Sequence, residues 1–87
     1  MMRPCLVTGA RLAYDDVRAE HVLLLPEAVV RLNYTAIEVL ELCDGARSLD
    51  EIVTSLAVRY AGYDVRDDVH ELLDGMARWG VVVDAAA

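Results

Sequence analysis

An α+β fold is expected for this chain: a three-stranded antiparallel meander followed by three helices. Three observations predict it. The first third holds short, β-rich apolar runs separated by turn residues. The stretch from Leu32 to Gly45, L-N-Y-T-A-I-E-V-L-E-L-C-D-G, joins a strand end to a helix cap, a short helix and a helix stop. Beyond it, apolar residues recur with the helical period. Eighty-seven residues make one small domain, 1–87.

Residues 1–10 carry Pro4, Thr8 and Gly9 without periodicity and read as an irregular arm. Arg11 to Asp15 alternates polar and apolar, a first strand. The charged stretch from Asp15 to Glu20 is a loop. His21 to Leu25 is a short continuous apolar run, the pattern of a strand covered on both faces. Pro26-Glu27 suits a tight turn, because proline fixes φ at the first central position. Ala28 to Leu32 is a third, β-branched strand. Residues 11–32 therefore form a meander with the second strand in the middle.

Three helices fill 33–80. The first runs from Tyr34 to about Cys43, capped either by Asn33 or by Thr35 with Glu38 as a capping box. Asp44-Gly45 ends it. Ser48 and Glu51 make a second box, and Leu49, Ile52, Val53, Leu56, Ala57 and Tyr60 follow as a core-facing stripe. Ala61-Gly62-Tyr63 breaks that helix. Asp64 is placed to cap the third, which runs to about Trp79, with Asp67, Asp68 and Glu71 complementing its dipole. Gly75 inside it costs about 1 kcal/mol relative to alanine. Gly80 stops it, and 81–87 is a short extended tail. Strands followed by three helices, with a short turn across Asp44–Ser48, give a winged-helix-like arrangement.

Charge and composition exclude several functions. The chain has 15 acidic residues against 8 basic ones, all arginine, for a net charge of −7. Such a surface repels phosphate. The helices that would enter a DNA groove open with Asp50-Glu51 and Asp67-Asp68, so a DNA-binding regulator is disfavoured. Ser48-Leu49 resembles an acyl-carrier attachment site, but Arg47 stands where that signature has aspartate. His21 and His70 have no ligand-spaced partners, and Cys5 and Cys43 form no CxxC, so neither a metal site nor a catalytic set is written. Cys43 reads as a buried small hydrophobe. No catalytic residue and no cofactor is expected. No apolar run reaches the ~20 residues a membrane span requires, and residues 1–7 lack a signal-peptide pattern. The expected location is cytoplasmic.

Arg3-Pro4, Arg11-Leu12, L-N-x-T at Leu32 to Thr35, L-E-L-C-D-G at Leu40 to Gly45 and Ser48 to Val53 recur in one known family. Asp68-Val69, Leu72-Leu73 and Trp79-Gly80 complete the set. In order and spacing, over nearly its full length, the chain resembles the PqqD family of pyrroloquinoline quinone (PQQ) biosynthesis. The resemblance implies a non-catalytic peptide chaperone. It would bind the ribosomal precursor peptide PqqA and present it to PqqE, a radical-SAM enzyme that crosslinks a Glu and a Tyr within it. The alternative is a stand-alone precursor-recognition protein of another modified-peptide pathway.

The same resemblance implies a site: a peptide strand added beside the third strand and against the third helix. Ala28, Val29, Val30, Arg31 and Leu32 would supply the edge, with Arg31 its single charged guard. Val69, Leu73, Met76 and Ala77 would supply an apolar wall. Proline at Val30 is expected to weaken such binding by removing a donor. The open edge also suits a second copy of the chain, so homodimerisation and peptide capture would compete.

Overall fold

The computed structural model describes residues 2–61 and 63–86. Met1, Ala87 and Gly62, the middle of the expected break, lie outside the described residues. In chain order the elements are β1 (Pro4–Leu6), β2 (Arg11–Asp15), β3 (Glu20–Leu25), β4 (Ala28–Leu32), α1 (Tyr34–Glu41), α2 (Leu49–Arg59), α3 (Arg66–Arg78) and β5 (Val82–Asp84).

The meander is antiparallel in the order β2-β3-β4. Its register aligns Leu12, Leu23 and Val30 across the three strands, which puts them on the face that meets the helices. Leu23 is fully buried there among Leu40, Ile52, Leu56, Val69 and Leu73. On the opposite face Val22, between Ala13 and Arg31, is buried as well. The strand at 20–25 is thus covered on both sides, as its unbroken apolar run implies.

Local caps explain the helices. Asn33 Oδ1 accepts from the Ala36 N–H at 2.8 Å and caps α1. Thr35 and Glu38 do not form the alternative box. Glu38 instead accepts from the Tyr60 hydroxyl at 2.9 Å and from Arg59 at 3.2 Å. α1 stops at Glu41, earlier than expected, because Leu42 and Cys43 donate to carbonyls three residues back and tighten the turn. Gly45, at φ +79°, then reverses the chain. The Ser48–Glu51 box is complete, with bonds of 2.9 and 3.1 Å. Ala57, expected in the α2 stripe, is exposed.

α3 departs from expectation at its start. Val65 holds the cap position without a side-chain bond, while Asp64 accepts from the Arg66 N–H at 3.0 Å in a local turn. At its other end Gly80, at φ +74°, donates to Ala77 and Val81 donates to Met76. This is a Schellman closure.

The arm is corrected. Residues 4–6 are not irregular: β1 pairs antiparallel with β5, joining Pro4 to Asp84 and Leu6 to Val82. Residues 82–84 of the expected tail are its partner strand. Gly45 donates to the Pro4 carbonyl and Leu49 to that of Met2, which fastens the clasp to the α1–α2 turn. Asp84 accepts from the backbone N–H groups of Met2, Arg3 and Ala86. These bonds hold its carboxyl down at about 2, against an ordinary 3.8. A folded-state value below the unfolded one means the stabilisation is complete above about pH 4 and is lost as pH falls towards 2. Protection of the Arg3 and Ala86 amides, relative to their intrinsic exchange rates at each pH, should therefore fall through that window, and Asp84→Asn should flatten the response.

Candidate functional site

An edge strand offers hydrogen-bonding groups only at alternate residues. The two-residue Pro26-Glu27 turn makes Leu25 and Ala28 a hydrogen-bonded pair. Alternation from there makes Val30 bond to Leu23 and Leu32 to His21. The N–H and C=O groups of Val29 and Arg31 therefore point away from β3, along an edge that no other strand covers among the described residues. Val30 contributes its side chain to the site and its amide to the sheet. That relocates the proline test from Val30 to its neighbours. The other edge of this sheet, β2, is guarded by Arg11 and Asp15.

Beside the β4 edge runs α3. Between them lies an apolar groove of about 270 Å³, lined by Val30, Leu72, Gly75, Met76 and Trp79, with Leu23 and Val81 beneath and Glu71 at the rim. Glu71, Leu72, Gly75, Met76 and Trp79 follow helical spacing and share one face of α3. Trp79 is 78% exposed, a large apolar surface without an internal partner.

Of the expected site residues, the structure brings Val30 and Met76 together across the groove. Val69 and Leu73 are each 2% exposed and pack in the core on the inward face of the same helix, where Val69 also floors a second cavity between the three helices. Ala77 is half-buried and does not line the groove. The helix side of the groove is lined by Leu72, Gly75 and Trp79 as well as Met76. Leu73→Ala should cost about 2–5 kcal/mol by opening a cavity. If Leu73 is purely core, ligand affinity per folded molecule should be unchanged, as denaturation and titration of one sample would show.

Cys43 is chemically quiet. Its thiol donates to the Val39 carbonyl at 3.3 Å, and burial, helped by the neighbouring Asp44 charge, pushes it up to about 12. It stays protonated at neutral pH. Among the described residues no group of three His, Cys, Asp or Glu side chains converges as a metal site, and no helix is long and apolar enough to cross a membrane.

The model of the family described as coenzyme PQQ synthesis protein D (PqqD) matches residues 20–82, from β3 into β5, and so spans both walls of the groove. The chain belongs to the PqqD family. One PqqD relative, the PqqA binding protein of Rhodopseudomonas palustris strain TIE-1, is 40% identical over 85 residues, covering 95% of this chain and 83% of its own. That of Xanthomonas oryzae pv. oryzae strain PXO99A is 43% identical over 72 residues, covering 80% and 78%. A solution NMR structure matches with a TM-score of 0.77 and 35% identity, over 92% of this chain and 87% of that one. It is the PqqD truncation of Methylobacterium extorquens PqqCD, described as a functional, stand-alone recognition element for ribosomally synthesised, modified peptides. The three-stranded sheet and three helices are thus the PqqD fold.

Proposed function

We propose that this protein is a peptide chaperone of PQQ biosynthesis, binding the precursor peptide PqqA in the cytoplasm and presenting it to the radical-SAM enzyme PqqE. The names of its PqqD relatives support the ligand. The observation that carries the mode is the open β4 edge at Val29 and Arg31 beside an apolar groove. An extended peptide pairs with the edge through its backbone, and every second side chain enters the groove. Met76 adapts its unbranched side chain to the guest, and Trp79 supplies a broad contact at the exit. Presentation to PqqE follows if only part of the peptide is held, leaving the reacting Glu and Tyr outside.

The chain has a single tryptophan, and it stands in the groove. Titration with a synthetic PqqA peptide should therefore give a saturable change in Trp79 fluorescence that agrees with calorimetry. Calorimetric binding with silent fluorescence would contradict the groove. No binding to PqqA, with binding to another pathway's precursor, would favour the recognition protein of a different pathway. Self-association that the peptide reverses would mark the edge as shared with a second copy. The PqqE limb is tested separately: crosslinking of PqqA by PqqE should depend on this protein and fail with a groove-blocked variant.

A further inference from the structure

The groove does not end at Leu72. That residue also lines a second, larger cavity of about 490 Å³, floored by Val39, Leu56 and Val69 from the three helices. Asp68 and Leu72, then Met76 and Trp79, follow one face of α3, so cavity and groove lie along the same face of the helix and meet at Leu72. Asn33 and Thr35, which directly follow β4, form the near wall of the cavity. The cavity therefore opens just beyond the end of the β4 edge.

The rim differs from that of the groove. Tyr60, Tyr63, Asp64 and Asp68 surround the opening, and no arginine lines it. Tyr60 is fixed from behind by its bond to Glu38 at 2.9 Å, so this wall is formed before any ligand arrives. Asp68 takes part in no ion pair among the described residues. An apolar floor beneath two carboxylates and two aromatic rings suits one class of side chain. Arginine and lysine lay an apolar stem on the floor while the cation meets carboxylate and ring faces. An acidic residue is repelled there, and a purely apolar one leaves the rim unanswered.

We propose that this cavity is the specificity subsite of the groove and receives a basic side chain of the bound peptide. The inference rests on the peptide-binding reading above. At about 3.3 Å per residue, the step from Val30 to Asn33 and Thr35 sets the spacing. The basic residue lies about four positions along the peptide from the side chain that meets Met76 and Trp79, the even spacing that keeps both on one face of an extended chain.

The test uses the full chain and PqqA peptides in which each Lys or Arg is replaced singly by Gln, measured against wild type and Asp68→Asn. One peptide position should lose affinity by about fivefold at low salt, with the effect shrinking as salt rises. Against Asp68→Asn that same substitution should cost nothing further, whereas the others stay unchanged. Thr35→Arg, which places the protein's own cation at the cavity, should reproduce the loss and serves if Asp68→Asn folds poorly. Equal binding of all peptides to all variants, with the Trp79 response intact, overturns the subsite and leaves the groove standing. Loss of all binding by wild type overturns the peptide reading itself.

Discussion

Proline at Val29 or Arg31 should reduce precursor binding by tenfold or more while leaving the fold intact. Proline removes the N–H and places a ring where an incoming strand must approach. At these two positions the lost donor faces outward, so the β3–β4 ladder keeps all its bonds. Edge positions of this kind are where folded sheets tolerate proline. One lost backbone bond contributes about 1 kcal/mol, and the ring obstructs its neighbour as well, so a total near or above 1.4 kcal/mol, a tenfold change, is expected. Val30→Pro is the control. It strikes the bond to Leu23 and should destabilise the sheet and binding together. Circular dichroism with titration calorimetry separates the two results.

Gly75→Leu should give opposite signs for stability and binding. Glycine inside a helix costs about 0.8–1 kcal/mol relative to alanine, and leucine is nearly as favourable as alanine. A side chain has room, since the nearest atom to a Cβ built there is an Arg78 guanidinium nitrogen at 3.9 Å. Packing within the protein therefore does not require glycine at this position. The proposed binding does, because Gly75 is part of the groove lining and a side chain there would project into the path assigned to the peptide. Gly75→Leu should raise the denaturation midpoint and lower peptide affinity by tenfold or more, with Gly75→Ala intermediate. A variant that is more stable and binds equally well would show that the peptide does not approach this turn of α3.

The parts of the fold written in local chemistry were legible. Ser48 with Glu51, the stop at Gly80 and the apolar run at 21–25 each name their structure within a few residues. The β1–β5 clasp was not. Its strands are three residues each, too short to show alternation, and its ties join positions 82 apart, as from Met2 to Asp84. The start of α3 is not legible, because an aspartate before a helix suits both a cap and a local turn, and Asp64 takes the turn.

The candidate site is half legible. An apolar edge with Arg31 as its single charge marks the strand at 28–32 from the sequence alone. The helix side was ambiguous, because α3 carries two overlapping apolar stripes. Val69 and Leu73 belong to one, Leu72, Met76 and Trp79 to the other, and periodicity alone does not say which faces inward. Trp79 with Gly80 signals a helix end, and a tryptophan ending an apolar stripe is also the signal of the groove. The cavity rim joins Tyr60 and Tyr63 to Asp68 across a helix break, a proximity that only the packing of α2 against α3 creates.

Amide exchange of the backbone at 28–32, with and without saturating PqqA peptide, tests strand addition most directly. Val30 and Leu32 already bond to β3 and should change little, whereas Val29 and Arg31 should become protected, an alternating pattern that only a paired strand produces. Binding that leaves Val29 and Arg31 exchanging as in the free protein would contradict it.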